Sequence, residues 1–138
     1  IAGEASVLMT MQEMSTAVQY NLPIKIFILN NQYMGMVRQW QELLHEKNYS
    51  ESYTAALPDF VKLAEAYGCV GIQATKPDEL DEKINEMINT KEPVIFDCRV
   101  DPAENCFPMI PSGKPHNQML LGPEDEKEEV SDEGKTLV

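Results

Sequence analysis

A chain of 138 residues is long enough for one domain with a substantial core. Its net charge of −12 argues against nucleic acid or an anionic membrane as a partner. No apolar run approaches the roughly eighteen residues of a membrane span, and nothing resembles a signal peptide.

Ile1-Ala2 reads as the end of a buried strand, so the chain is expected to be the carboxyl-terminal piece of a longer protein. Gly3-Glu4-Ala5-Ser6 then turns sharply, with small residues that let backbone N–H groups approach an anion. Thr10-Met11-Gln12-Glu13 has the form of a capping box and predicts a helix beginning near Met11. Asn21-Leu22-Pro23 ends it. Ile24 to Leu29 is a mostly apolar strand of the kind covered on both faces, stopping at Asn30-Asn31. Strand, helix and strand form a right-handed crossover, which brings the two loops to one carboxyl edge of a parallel sheet.

There, the Glu4 carboxylate and the Asn31 amide oxygen can converge on one hard cation, with Gly35 opening a helix whose amino end faces a phosphate. The acidic balance does not oppose this, because local N–H groups and a metal offset a diphosphate's charge. By residue types alone, a strand-end turn with no ligand accounts for the stretch equally well.

Gly35 to His45 predicts a helix with Met36, Val37, Trp40 and Leu44 on one side. Arg38 and Gln39 are open between substrate contact and solvation. The two histidines need no catalytic role: His45 is expected at an exposed helix end, where its positive charge is favourable, and His116 lies far along the chain. Glu46 to Ala56 reads as a loop anchored by Tyr49 and Tyr53.

Leu57-Pro58-Asp59 opens a helix with Phe60, Leu63, Ala64 and Tyr67 inward, closed by Gly68. Cys69 to Ala74 is a short strand. Pro77 starts a helix with Leu80, Ile84, Met87 and Ile88 as its buried stripe, and Pro93 to Val100 is the last strand. The alternation predicts an α/β fold, a three-layer domain with a mainly parallel sheet flanked by helices over 1–100. An irregular, proline-punctuated carboxyl-terminal arm over 101–123 is expected to pack on protein. An acidic, mobile tail follows over 124–138, with seven acids and one lysine between 124 and 133. Cys69, Cys98 and Cys106 lack metal-ligand spacing and read as free thiols of a reducing cytoplasm.

Gly3-Glu4-Ala5, twenty-four residues, then Asn30-Asn31 resembles the thiamine diphosphate signature. The fuller run through Asn30-Asn31-Gln32-Tyr33-Met34-Gly35-Met36-Val37-Arg38-Gln39-Trp40, with Asn48-Tyr49-Ser50, Pro58 to Ala66, Glu92-Pro93-Val94 and Pro108 to Gly113, resembles the acetolactate (acetohydroxyacid) synthase family, large catalytic subunit. The resemblance implies decarboxylation of pyruvate on thiamine diphosphate and transfer of the two-carbon unit to a second 2-oxo acid, pyruvate or 2-oxobutyrate, towards valine, leucine and isoleucine.

By residue match, Glu4 and Asn31 are side-chain ligands of Mg²⁺ and Tyr33 a carbonyl ligand. Gly3, Ala5, Ser6, Met34 and Gly35 lie along the cofactor, Met36 supports its ring, and Met36, Val37 and Trp40 line the substrate channel. The resemblance places the activating glutamate and most of an FAD site in preceding domains outside this chain, so no catalytic residue is expected here. It further implies a homodimer or homotetramer with a small regulatory subunit, and an arm that folds over the active site.

One position departs: Glu4 stands where the family has aspartate, longer by one C–C bond of roughly 1.5 Å, and Mg²⁺ tolerates little geometric error. Two other readings are a pyruvate oxidase or decarboxylase type of thiamine enzyme, and a non-catalytic homologue that serves as a binding module.

Overall fold

The computed structural model describes residues 1–123. Its elements are β1 (Ala2–Gly3), α1 (Glu4–Thr10), a 3-10 turn (Met11–Glu13), α2 (Met14–Gln19), β2 (Lys25–Asn30), α3 (Gly35–Leu44), α4 (Phe60–Tyr67), β3 (Val70–Ala74), a second 3-10 turn (Pro77–Glu79), α5 (Leu80–Asn89) and β4 (Val94–Arg99). The acidic tail over 124–138 lies outside the described residues. The chain groups into two units, Ile1–Tyr33 with Thr54–Ala103, and Met34–Tyr53 with the segment from Glu104 onward.

The first unit is the α/β layer structure. Its four strands are all parallel and run in the order β1-β2-β4-β3. Val94 to Cys98 of β4 are buried without exception, as an apolar run flanked by a strand on each side requires. Ile28 and Ile95 pack on one face with Val7, Met14, Ala17, Phe60 and Ala64 from α1, α2 and α4. Val94, Phe96, Ile72 and Ala74 pack on the other with Met87, Leu80 and Ile84 around α5.

One glycine marks how tightly the layers meet. A Cβ on Gly71 of β3 would stand 2.8 Å from the Cα and carbonyl oxygen of Val61, so α4 crosses this strand at a separation that only glycine permits.

Several local expectations are corrected. Helix begins at Glu4 rather than near Met11, because Gly3 ends β1 and itself serves as the N-cap. Thr10 makes no side-chain cap bond; its φ of −134° only marks the break between α1 and the 3-10 turn. Strand β2 is not wholly covered: Ile28 and Asn30 are buried but Leu29 is exposed, and β1 pairs only with Ile28 and Leu29. Ile88 lies on the exposed side of α5, and Tyr49 and Tyr53 are about half exposed rather than packing anchors.

Helix α4 follows its sequence signals. The Asp59 carboxylate accepts from the N–H groups of Val61 (3.0 Å) and Lys62 (3.1 Å), and Gly68 ends the helix at φ 84°. The Lys62 N–H, together with the Lys62 charge and the Val61 N–H, holds the Asp59 carboxyl below its ordinary 3.8. A depressed carboxyl pKa adds stability above the unfolded value and loses it as pH falls through the folded one. Asp59→Ala should therefore lower the melting temperature at neutral pH. The gap from wild type should close as thermal unfolding is followed below pH 3.8.

Candidate functional site

Parallel pairing of Ala2 with Ile28 and Gly3 with Leu29 brings the ends of β1 and β2 to one edge. Glu4 follows as the first residue of α1, and Asn31 follows β2. Glu4 is only 1% exposed, and its Oε1 has no hydrogen-bond partner. Burial pushes its carboxyl pKa up; its own N–H opposes the rise, the Asp97 charge adds to it, and Arg99 and the Asn31 N–H oppose it. The structure thus brings Glu4 and Asn31 together.

A buried carboxylate oxygen without a partner is costly unless a cation or donor completes it. Asn31 Oδ1 accepts from the Tyr33 N–H at 3.2 Å, which leaves a second lone pair on the same oxygen. No group of three His, Cys, Asp or Glu side chains able to hold a metal occurs among the described residues. A hard divalent ion at this edge would therefore draw its remaining oxygens from main-chain carbonyls, water or a phosphorylated ligand, as Mg²⁺ characteristically does. Glu4 and Asn31 carry side-chain oxygens, and Tyr33 a carbonyl, of the hard type that such an ion takes. Around it, Gly3 closes β1, while Ala5 and Ser6 occupy the first turn of α1.

Asp97 is a buried carboxylate near this edge that sequence reading did not single out. It lies in the middle of β4, fully buried, and accepts from Asn30 Nδ2 at 2.7 Å and Gln73 Nε2 at 2.9 Å, with Arg99 Nε at 3.2 Å. The available signal was an acid inside the apolar run Val94-Ile95-Phe96-Asp97-Cys98. Asn30 Oδ1 in turn accepts from the Gln32 N–H at 3.2 Å, where Gln32 has φ 62°.

In the second unit, Met34 is the N-cap of α3 and Gly35 its first residue. Met36 and Val37 are exposed and Trp40 half-buried, and together they line a pocket of about 510 Å³ with Gln41, His45 and Asn48. Met36, Val37 and Trp40 share this pocket, whereas Leu44, expected on the same helix side, is not among its lining residues. His45 differs from expectation: it is half-buried at the helix end with its Nε2 unpartnered rather than exposed to buffer. Gln41 and His45 were overlooked although they continue from Val37 at four-residue intervals along one helix face.

The opposite face settles Arg38 and Gln39: both are buried. Arg38 pairs with Glu42 and donates to Asn105 Oδ1 at 2.6 Å. Gln39 reads both main-chain groups of Cys106, its Nε2 donating to the carbonyl at 3.0 Å and its Oε1 accepting from the N–H at 2.7 Å. Beyond that clamp the arm folds on itself, with Met109 and Leu120 buried and bridged in antiparallel fashion. All three cysteines are free, Cys69 and Cys98 buried and Cys106 exposed.

The sequence profile described as "Thiamine pyrophosphate enzyme, C-terminal TPP binding domain" matches residues 1–98. The chain is 50% identical over 121 residues to an acetolactate synthase large subunit of Cyanidium caldarium, covering 87% of this chain and 21% of that protein. It is 44% identical over 128 residues to the one of Haemophilus influenzae, covering 92% and 22%. It is also 44% identical over 124 residues to the isozyme 3 large subunit of Escherichia coli, covering 88% and 22%. The chain thus spans about a fifth of the length of these relatives. Among solved structures, the thiamine diphosphate-dependent 4-hydroxybenzoylformate decarboxylase of Rhodococcus jostii RHA1 superposes with a TM-score of 0.65 at 25% identity, covering 72% of this chain and 19% of that one.

The clamp on the arm has a direct consequence. Gln39→Leu keeps the side-chain volume but leaves both main-chain groups of Cys106 without their partner, a loss on the order of 1–3 kcal/mol. Limited proteolysis should then cut the segment between Asn105 and Leu120 about tenfold faster, the rate change corresponding to roughly 1.4 kcal/mol of easier opening.

Proposed function

The chain belongs to the thiamine pyrophosphate enzymes through their C-terminal TPP-binding domain, and on that footing we propose that it is the diphosphate- and Mg²⁺-binding part of an acetolactate synthase large subunit. The intact enzyme decarboxylates pyruvate and joins the two-carbon unit to a second 2-oxo acid. Pyruvate as acceptor gives 2-acetolactate, and 2-oxobutyrate gives 2-aceto-2-hydroxybutyrate, precursors of valine, leucine and isoleucine. The observation that carries the reading is the buried Glu4 carboxyl, near the Asn31 N–H and with its Oε1 unpartnered, in a chain that matches the TPP-binding profile.

Residues 1–100 serve as the cofactor-binding part and 101–123 as the arm. Glu4 and Asn31 hold Mg²⁺ through side-chain oxygens and Tyr33 through its carbonyl. Gly3, Ala5, Ser6, Met34 and Gly35 lie along the diphosphate. Bound thiamine diphosphate supplies the electron sink for decarboxylation, and the protein supplies binding and orientation. Met36 supports the cofactor ring, and the apolar wall of Met36, Val37 and Trp40 excludes water and shapes the acceptor site. The activating glutamate belongs to the amino-terminal domain of a neighbouring subunit, and most contacts to FAD belong to the middle domain. A homodimer or homotetramer with a small regulatory partner agrees with the "large subunit" names of the relatives. Free thiols suit a cytoplasmic setting.

A decarboxylase that releases its product without carboligation is the second reading, favoured by the likeness to the Rhodococcus enzyme. Product analysis separates them: the intact gene product with pyruvate, Mg²⁺ and thiamine diphosphate should form acetolactate. Release of aldehyde alone would replace the synthase reading with the second.

Glu4→Gln removes a buried charge, so the ligand-free protein should melt higher at neutral pH while Mg²⁺-dependent binding of thiamine diphosphate is lost. Glu4→Asp should bind at lower Mg²⁺ than wild type. If wild type binds no cofactor and Glu4→Asp restores binding, the chain is a homologue that has lost the reaction. Trp40→Leu should change the ratio of the two acetohydroxyacids by about tenfold when pyruvate and 2-oxobutyrate compete, the scale of an altered apolar pocket contact.

A further inference from the structure

Both Asp97 oxygens are already taken by donors from three strands, which gives it a different task from Glu4, whose Oε1 has no partner. One of its oxygens, Oδ1, takes the Asn30 Nδ2 at 2.7 Å. The other, Oδ2, takes the Gln73 Nε2 at 2.9 Å and the Arg99 Nε at 3.2 Å. Both oxygens accept, so an amide in place of the carboxylate would set a donor against a donor at one of them.

Its grip decides which way the Asn30 amide faces. With Nδ2 held by Asp97, Oδ1 is presented to the Gln32 N–H at 3.2 Å. That bond closes a turn in which Gln32 adopts φ 62°, a conformation that a non-glycine residue takes only when its surroundings enforce it. Asn31 lies inside the turn, and its Oδ1 takes the Tyr33 N–H at 3.2 Å. The main chain at Asn30 is fixed from the β4 side as well, where its carbonyl accepts from Val100 N–H at 3.1 Å. Side chain and main chain of one residue are thus both tied to β4, and the loop that follows inherits its shape from them.

We propose that Asp97 is a positioning residue for the diphosphate–metal loop: through Asn30 it sets the turn Asn30–Tyr33 and thereby aims the Asn31 amide oxygen and the Tyr33 carbonyl at a divalent cation. The inference rests on the metal-binding reading of Glu4, Asn31 and Tyr33. Asp97 itself touches neither metal nor diphosphate.

The pair can be reversed without changing net charge. In Asp97→Asn the amide cannot accept from both Asn30 and Gln73. In the exchange Asn30→Asp/Asp97→Asn, donor and acceptor swap places, the Gln32 N–H keeps an acceptor and Gln73 keeps its own. Two readouts are taken on the intact gene product: amide hydrogen exchange of the segment 31–34 without ligands, and the Mg²⁺ concentration that half-saturates binding at fixed thiamine diphosphate. Asp97→Asn should speed exchange in 31–34 at least about tenfold while 94–96 stays protected, and raise the Mg²⁺ requirement about tenfold or more. The exchange variant should return both to within about threefold of wild type, a rescue that general destabilisation does not give.

The proposal is overturned if Asp97→Asn lowers the melting temperature yet leaves both readouts unchanged, or if the exchange variant stays as impaired as the single one. If wild type shows no Mg²⁺-dependent binding at all, the cofactor reading fails, and the exchange data on 31–34 separately decide whether Asp97 holds the turn.

Discussion

A carboxylate with no exposure, in the middle of the innermost strand, is the interaction on which the rest of the first unit depends. Asp97 is expensive to bury, and the cost is offset only because β2, β3 and β4 each deliver a donor to it. Those strands can meet it together only in the parallel register observed, with Ile28 and Gln73 both opposite Asp97. The same contacts that make the charge tolerable also specify the order β2-β4-β3 at that edge.

Glu4 makes the opposite choice at the same edge. Its burial is comparable, but one oxygen is left without a partner. Two acids so close in the fold differ because one faces preorganised side-chain donors and the other has mainly main-chain N–H groups nearby. A satisfied buried carboxylate supports structure, and an unsatisfied one stays costly until a cation or a donor completes it. Proteins carry such local cost where a ligand will relieve it.

Helix α3 shows the same division in the second unit. A helix ordinarily buries its apolar side and exposes its polar one. Here Arg38 and Gln39 are the buried residues, held by Glu42, Asn105 and Cys106, while Met36 and Val37 are exposed beside a half-buried Trp40. The polar side fastens the arm, and the apolar side is left as a pocket wall. Neither assignment contradicts amphipathicity as a pattern; what is inverted is which side the chain itself uses.

The chain's own residues determined the α/β class, the parallel sheet and the bounds of most elements, because apolar period and caps such as Asp59 and Gly68 act locally. They also determined that Glu4 and Asn30-Asn31 end neighbouring strands, since a strand–helix–strand unit leaves few alternatives. Thr10 and Glu13 misled because a capping box competes with a glycine N-cap already seated at the strand end, and the sheet decides between them. The partners of Asp97 on β2 and β3 lie 67 and 24 residues away in sequence, and Cys106 lies 67 from Gln39, so no local pattern could name them. Only the assembled fold could show that Asp97 is satisfied, that Glu4 is not, and that the polar side of α3 faces inward, for each is set by which distant donors arrive.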